Sequence, residues 1–288
     1  MEQTNLDIVL KLQYSMSMEF NVLPLFKSHF SLGRSILTIA NPMEEPKEEE
    51  DKLKDEYLIR PDSILEICKD NGLDKFFLID DSISGFLQAH INSKKNGLEL
   101  IFGLRLTVVD DVTVKDEASL KKENKIVLIA RNNKGYKELM KISSCASMDG
   151  FYYRPRIDSS NLKRLGVDNL VCMVPFYDSF IFNNNFSIAQ CCPDYLSIFD
   201  KENVIFTTED NNHPFDDSLK GYVEKFVGDN GYETIKAKSI YYKQRADFIP
   251  YTTFRCIHNR TVLSKPNLDH FCSTEFCFDA WKEQNEQN

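Results

Sequence analysis

From residue 61 onward, stretches with helical periodicity alternate with short apolar runs, and this alternation constrains the fold of the 288-residue chain more than any other feature. Asp62 is placed to cap a helix through Ser63, Ile64, Leu65, Ile67 and Cys68, which Gly72 stops. Lys75-Phe76-Phe77-Leu78-Ile79 then runs into Asp80-Asp81, the pattern of a strand buried on both faces. A helix over 85–95 stops at Gly97, and 98–109 reads as strand, turn at Gly103, strand. Further strands are expected at 125–130, 169–174, 203–207 and 232–236, with helices at 135–146, 216–227 and 244–258. An earlier strand, 22–26, precedes them all. Repeated βα units of this kind predict an α/β fold with a mainly parallel sheet, either a barrel or a doubly wound sheet. Both architectures present their chemistry at the C-terminal ends of strands.

Those ends are sparsely equipped. They offer Lys27, Ser28 and His29 after the first strand, Asp80, Asp81 and Ser82 after the next, Arg105 after Gly103, and Lys238 and Ser239 late in the chain. A metal site for phosphate chemistry needs several His, Asp or Glu side chains to converge. The chain holds only five histidines, in no HxH, HExxH or HxxEH spacing, and His270, Cys272 and Cys277 fit no zinc pattern. GxGxxG, GxxxxGK[ST] and GxSxG are all absent, so nucleotide-loop and nucleophile-elbow readings fall.

Charge narrows the function further. With 35 Lys and Arg against 44 Asp and Glu, the net charge is −9. Sequence-independent nucleic-acid binding relies on basic side chains displacing counterions, so strong direct binding by this chain is not expected. Acidic residues crowd 43–56, which reads as a solvated excursion. No run is long and apolar enough to cross a membrane, and the first residues lack a secretion signal. Eight cysteines with no CxxC pair fit free thiols in a reducing compartment, hence a cytoplasmic protein. Lys in excess over Arg, together with abundant Asn, points to an AT-rich genome such as that of a phage or a low-GC bacterium.

The segment Asn124 to Asp158 carries a longer pattern. Leu128, Ala130, Asn132, Gly135, Tyr136, Leu139 and Ser143 precede the run Gly150-Phe151-Tyr152-Tyr153-Arg154-Pro155-Arg156-Ile157-Asp158. Together they resemble the "hlvlLAkN", "eGYrNLlkLvS" and "GFYYkPRiD" blocks of the polymerase-and-histidinol-phosphatase (PHP) domain of bacterial DNA polymerase III alpha subunits, the C-family replicases. Arg60 to Leu73 resembles that family's "rideLvelAkelGm" helix, and Leu100 to Gly103 its "kPIiG". Arg255 to His258, Leu263, Pro266, Phe271 and Glu275-Phe276 resemble the segment leading toward the polymerase palm. The fold this resemblance implies is a distorted seven-stranded β/α barrel. The expected organisation is an N-terminal extension at 1–19, the barrel at 20–250 and an exit segment at 251–288.

The metal motifs of that family are degenerate here. By resemblance, the histidines of HxHxxYS fall on Leu23, Leu25 and Lys27, with His29 nearby. TDHG falls on Ile79-Asp80-Asp81-Ser82, keeping the aspartate but turning the histidine into Asp81. The glutamate of the third motif becomes Arg105, and NDvHY falls on Lys238-Ser239-Ile240-Tyr241-Tyr242. Fixed positive charge at Lys27 and Arg105 opposes divalent cations, so ion pairs to Asp80 or Asp81 are expected in the cleft, with no cofactor. The vestigial cleft then comprises Lys27, His29, Asp80, Asp81, Arg105, Ser239 and Tyr241.

The resemblance implies a catalytically inactive module that acts as a scaffold in DNA replication, with a DNA polymerase or proofreading exonuclease subunit as partner. A second reading is a metal-dependent phosphoesterase or 3′–5′ exonuclease holding Zn, Mn or Mg through Asp80 and Asp81, with His29 and Cys172 as further ligands. A third is the N-terminal piece of a complete DNA polymerase. Tyr152, Tyr153, Arg154 and Arg156 read as a structural loop rather than a nucleic-acid platform, because no basic patch surrounds them.

Overall fold

The computed structural model describes residues 20–27, 30–31, 34–35, 63–187, 190–264 and 273–287. The N-terminal extension, His29, Asp62 and the acidic excursion at 43–56 lie outside the described residues. In chain order the strands are β1 (Leu23–Lys27), β2 (Phe30–Ser31), β3 (Arg34–Ser35), β4 (Lys75–Asp80), β5 (Glu99–Val108), β6 (Asn124–Ala130), β7 (Arg156–Ile157), β8 (Leu170–Val174), β9 (Val204–Thr208) and β10 (Glu233–Ile240). The helices are α1 (Ile64–Asp70), α2 (Phe86–Lys95), α3 (Glu117–Lys121), α4 (Asn133–Met148), α5 (Ser159–Leu165), α6 (Phe180–Phe186), α7 (Asp216–Asn230), α8 (Phe248–Asn259) and α9 (Phe278–Gln287).

Seven strands close on themselves in the order β4-β1-β10-β9-β8-β6-β5, with β5 returning to β4 and β7 added beside β5. The result is the distorted β/α barrel expected from the sequence. Neighbouring strands run parallel except at β6, which is antiparallel to both β5 and β8. This corrects the purely repetitive βα reading: the connection from β5 to β6, over 109–123, carries only the five-residue α3 and returns the chain antiparallel instead of crossing over. Alternation along β1 sends Leu23, Leu25 and Lys27 to one face. Leu25 and Ser239 are in register, so that face is the barrel interior, where Leu23 and Leu25 are almost fully buried.

Local chemistry moves several predicted boundaries. The cap of α1 is Ser63, in a capping box with Glu66 (N–H to Oε2 2.7 Å, return bond 3.1 Å), rather than Asp62. Asn132 caps α4, whose first residue is therefore Asn133. Gly103 is no turn: β5 runs straight through it. A Cβ there would lie 2.5 Å from Ile79 Cδ1 and 2.7 Å from Val127 Cγ1, so glycine answers to crowding inside the barrel. β10 extends to Ile240, so Lys238 and Ser239 belong to the strand itself.

The Gly150–Asp158 run is an internal brace. Arg156 is completely buried, and its guanidinium donates to the carbonyls of Gly150 (3.1 Å), Val112 (3.3 Å) and Val114 (3.2 Å) and to Ser119 Oγ (3.2 Å). Its charge also lies 5.0 Å from the centre of the Tyr152 ring. Asp158 caps α5 through Asn161 N–H (2.8 Å) and accepts Val112 N–H (3.1 Å). Arg154 pairs with Glu123 at 3.1 Å. The motif that carries the resemblance thus holds loops together.

Part of the supposed exit segment turns back onto the barrel. Tyr241 N–H donates to Phe276 O and Phe278 N–H to Tyr242 O, both at 3.0 Å, extending the edge of β10. Arg245 forks to Glu275 (2.9 Å) and Glu283 (2.8 Å). On α9, Phe278 stacks on Phe26, and Trp281 donates to Val22 O at 2.7 Å. Residues 273–287 therefore cover β1 and β10, because their apolar side chains match the outward face of those strands.

Candidate functional site

The C-terminal mouth of the barrel gathers Lys27, Arg105, Lys125, Pro175, Tyr177, Asp178, Glu209, Ser239, Tyr241 and Phe276 around about 10 Å³ of free space, room for roughly one water. Of the predicted cleft residues, Lys27, Arg105, Ser239 and Tyr241 converge there. Asp81 joins them through Arg105: Nε donates to Oδ1 at 2.6 Å and Nη2 to Oδ2 at 2.9 Å. This bidentate pair is one of those expected between Lys27 or Arg105 and Asp80 or Asp81. Asp80 ends β4 and accepts the Asp81 N–H at 2.7 Å. Cys172, offered as a ligand under the hydrolase reading, lies elsewhere. Its neighbour Met173 is in register with Val127, which faces inward, so alternation turns Cys172 toward the helices. Burial pushes its thiol far up.

Sequence reasoning missed Lys125, Tyr177, Asp178, Glu209 and Phe276. Lys125 opens β6, and because β6 is antiparallel its first residues reach the mouth that the other strands reach with their last. Glu209 and Asp178 follow β9 and β8 by one and four residues, so a full search of strand ends would have found them. Phe276 arrives from a distant part of the chain and left no local signal.

Glu209 is the hydrogen-bond hub. It accepts Ser239 N–H (2.9 Å), Ser239 Oγ–H (2.7 Å) and Asn211 Nδ2–H (3.1 Å). Asn211 also donates to Tyr177 Oη (3.1 Å), and Tyr177 donates to Asp216 (2.8 Å). Lys125 Nζ donates to Thr107 Oγ1 at 2.8 Å, and Lys125 N–H to the Asp178 carbonyl at 2.8 Å. Asp178 has a left-handed backbone (φ 61°), a conformation aspartate tolerates.

Burial lowers the pKa of the Lys27 ammonium and the charge of Arg105 lowers it further, against the pull of Glu209, Asp178 and Asp81. Lys125 is lowered in the same way, by burial and then by Arg105. For Asp81, partial burial pushes the carboxyl up, but Arg105, Lys125 and Lys27 outweigh it and hold it at about 2. Its side chain is 59% exposed, so the pair contributes no more than about 1 kcal/mol. A carboxylate held below its ordinary 3.8 stabilises the fold above that pH and loses the contribution as pH falls through about 2. Asp81→Asn is expected to flatten the fall in stability between pH 4 and pH 2, read from urea midpoints; an unchanged acid limb would show that the pair is inert.

Among the described residues, the donor set at the mouth does not fit a divalent metal. Both Asp81 oxygens are taken by a guanidinium, Ser239 is committed to Glu209, and three cationic side chains face the space. Among the described residues no three His, Cys, Asp or Glu side chains are grouped to hold a metal ion. Hydrogen bonds among these groups join β4 to β5, β5 to β6, β6 to the loop after β8, and the end of β9 to β10.

Architecture and mouth define a mixed β/α barrel whose C-terminal end carries the Arg105–Asp81 pair beside Lys27, Lys125 and Glu209. The family profile of the PHP domain matches residues 56–232, and the chain belongs to that family. Similar curated proteins are DNA polymerase III alpha subunits. That of Borreliella burgdorferi is 32% identical over 98 residues, covering 32% of this chain and 8% of the relative. That of Aquifex aeolicus is 25% identical over 170 residues, 57% of this chain and 14% of the relative. That of Treponema pallidum is 22% identical over 158 residues, 52% of this chain and 13% of the relative. The chain therefore spans 8–14% of the length of these relatives.

Proposed function

We propose that this chain is a non-catalytic PHP module that works through protein contacts in a DNA replication assembly of the polymerase III alpha type, in the cytoplasm. The observation that carries this reading is the Arg105–Asp81 pair beside buried Lys27, at positions where the family resemblance places metal ligands. Relatives that are replicase subunits supply the assembly, with a polymerase or proofreading exonuclease subunit as the expected partner. Among the described residues no helix is long and apolar enough to cross a membrane.

Elemental analysis of the purified protein, combined with hydrolysis of a phosphate monoester and of a 3′-labelled oligonucleotide in Mn²⁺, Zn²⁺ or Mg²⁺, tests the loss of catalysis. The expected result is no stoichiometric metal and no turnover. Metal that is bound in stoichiometric amount and lost in Asp80→Ala would restore the phosphoesterase or exonuclease reading. Capture from the native host should recover a polymerase alpha or exonuclease subunit, and recovery of neither would count against the assembly role.

A further inference from the structure

We propose that the outer faces of α2 and α4 form a docking surface for an acidic, amphipathic helix of a partner protein. The proposal rests on the interaction role given above and supplies its contact chemistry, using none of the residues that line the mouth.

α4 is divided by residue type. Gly135, Leu139, Ile142, Cys145 and Ala146 are buried. Lys134, Lys137, Met140, Lys141, Ser144 and Met148 are exposed, at the three- and four-residue spacings of a single helix face. That face is about 24 Å long. It presents no carboxylate, because Glu138, the one acidic residue of α4, is turned to Asn169, accepting its N–H (3.1 Å) and Nδ2–H (2.7 Å). α2 meets α4 where Phe86 stacks on Tyr136, ring centres 4.4 Å apart. It has no acidic residue at all, and it exposes Leu87, Ile91, Lys94 and Lys95. The apolar side chains are well out in solvent: Met148 is 80% and Leu87 65% exposed.

In a chain of net charge −9, five lysines with no carboxylate beside them on these faces reverse the local charge. Other outer helices mix signs. α7 carries Asp217, Lys220, Glu224, Lys225 and Asp229, with Lys220 paired to Glu224 at 3.9 Å. Among the described residues, none of the five lysines on α2 and α4 has such a pair. Like charges spaced this way repel, and a partner that brings carboxylates relieves the repulsion.

The side chains between the lysines select the kind of partner. Met140, Met148, Leu87 and Ile91 gain by burial against apolar groups, and methionine adapts its shape to what it meets. They are aliphatic and thioether groups, not the row of rings on which nucleic-acid bases stack. A nucleic acid or an anionic bilayer also extends beyond the patch and meets the net negative charge of the whole chain. A short helix whose carboxylates flank an apolar stripe satisfies lysines and methionines together.

The test is fluorescence anisotropy of the full chain with a synthetic helical peptide about 18 residues long, built from Glu, Ala and Leu with leucines on one face. A scrambled peptide of the same composition, a single-stranded oligonucleotide and phosphatidylserine vesicles are the comparisons. The ordered peptide should bind at least about ten-fold tighter than the scrambled one, and more weakly in about 0.3 M NaCl. Lys137→Glu with Lys141→Glu should weaken it about ten-fold, and Met140→Ser with Met148→Ser about five-fold. These positions are exposed, so both variants should keep the parent Tm to within about 2 °C. Lys220→Glu with Lys225→Glu on α7 should leave binding unchanged.

Equal binding of ordered and scrambled peptides would overturn the surface, as would an equal loss in the α7 control or tighter binding of the oligonucleotide or the vesicles. Any of these leaves the assembly role standing, since that role fails only if capture from the host recovers no replicase subunit. A subunit recovered equally well by Lys137→Glu with Lys141→Glu would overturn this surface while confirming the role.

Discussion

Arg156→Ala is expected to lower the stability of the barrel by about 3–5 kcal/mol, because a large, fully buried side chain is cut back and four buried acceptors lose their donor. The guanidinium holds four oxygens from three separate stretches, at Gly150, at Val112 and Val114, and at Ser119. Without it, buried acceptors lose a charged donor with nothing positioned to replace it. Arg156→Lys should recover less than half of the loss, because one ammonium cannot reach the spread of acceptors that a planar fork reaches. Urea unfolding of both variants measures this, and equal midpoints for Lys and Ala would confirm that the fork is what matters. A loss under about 1 kcal/mol in Arg156→Ala would show that these loops need no brace.

Phe276→Ala should be nearly as costly, at about 3–5 kcal/mol, because it empties a site closed on three sides by aromatic rings. Ring centres of Tyr177, His213 and Tyr241 lie 5.8, 5.9 and 5.7 Å from that of Phe276, which is almost completely buried. Phe276→Leu should lose only about 1 kcal/mol, since most of the volume is kept. The contrast between the two separates cavity cost from a general intolerance of change, and equal losses would refute a filling role. Because Phe276 also walls the mouth, the alanine variant should admit solvent beside Lys27 and Glu209.

Much of the barrel was legible in the sequence because its signals are local. The apolar run Lys75–Ile79, the strand at 125–130 and the helix stops at Gly72 and Gly97 all follow from residue type and spacing. Gly103 misled because glycine has two reasons to exist: it permits unusual backbone, and it makes room. Only the positions of Ile79 and Val127, from two other strands, reveal that the second reason applies. The direction of β6 was equally hidden, since a connection of that length can either return the chain antiparallel or cross over.

The site was read unevenly for the same reason. Lys27, Asp81 and Arg105 stood out by resemblance, as charged substitutes at motif positions, and their charges alone predicted pairing. Which pair would form depended on reach across the mouth, and the fork of Arg105 met Asp81. Glu209 and Lys125 had no motif to mark them. Their place shows only once the barrel closes and both line the mouth with Lys27 and Arg105.

The path of α9 has a consequence for how the chain can be rewired. The helix descends from the mouth to the opposite rim, where Asn285 accepts from Asn21 Nδ2–H (2.9 Å, through its carbonyl) and from Val22 N–H (3.0 Å, through its side chain). The first and last described stretches are thus neighbours. A circular permutant that splices residue 287 to residue 20 and opens the chain in a surface loop would preserve every strand pairing. In such a permutant the order of the strands along the chain becomes a free variable, while the closed ring of seven remains fixed.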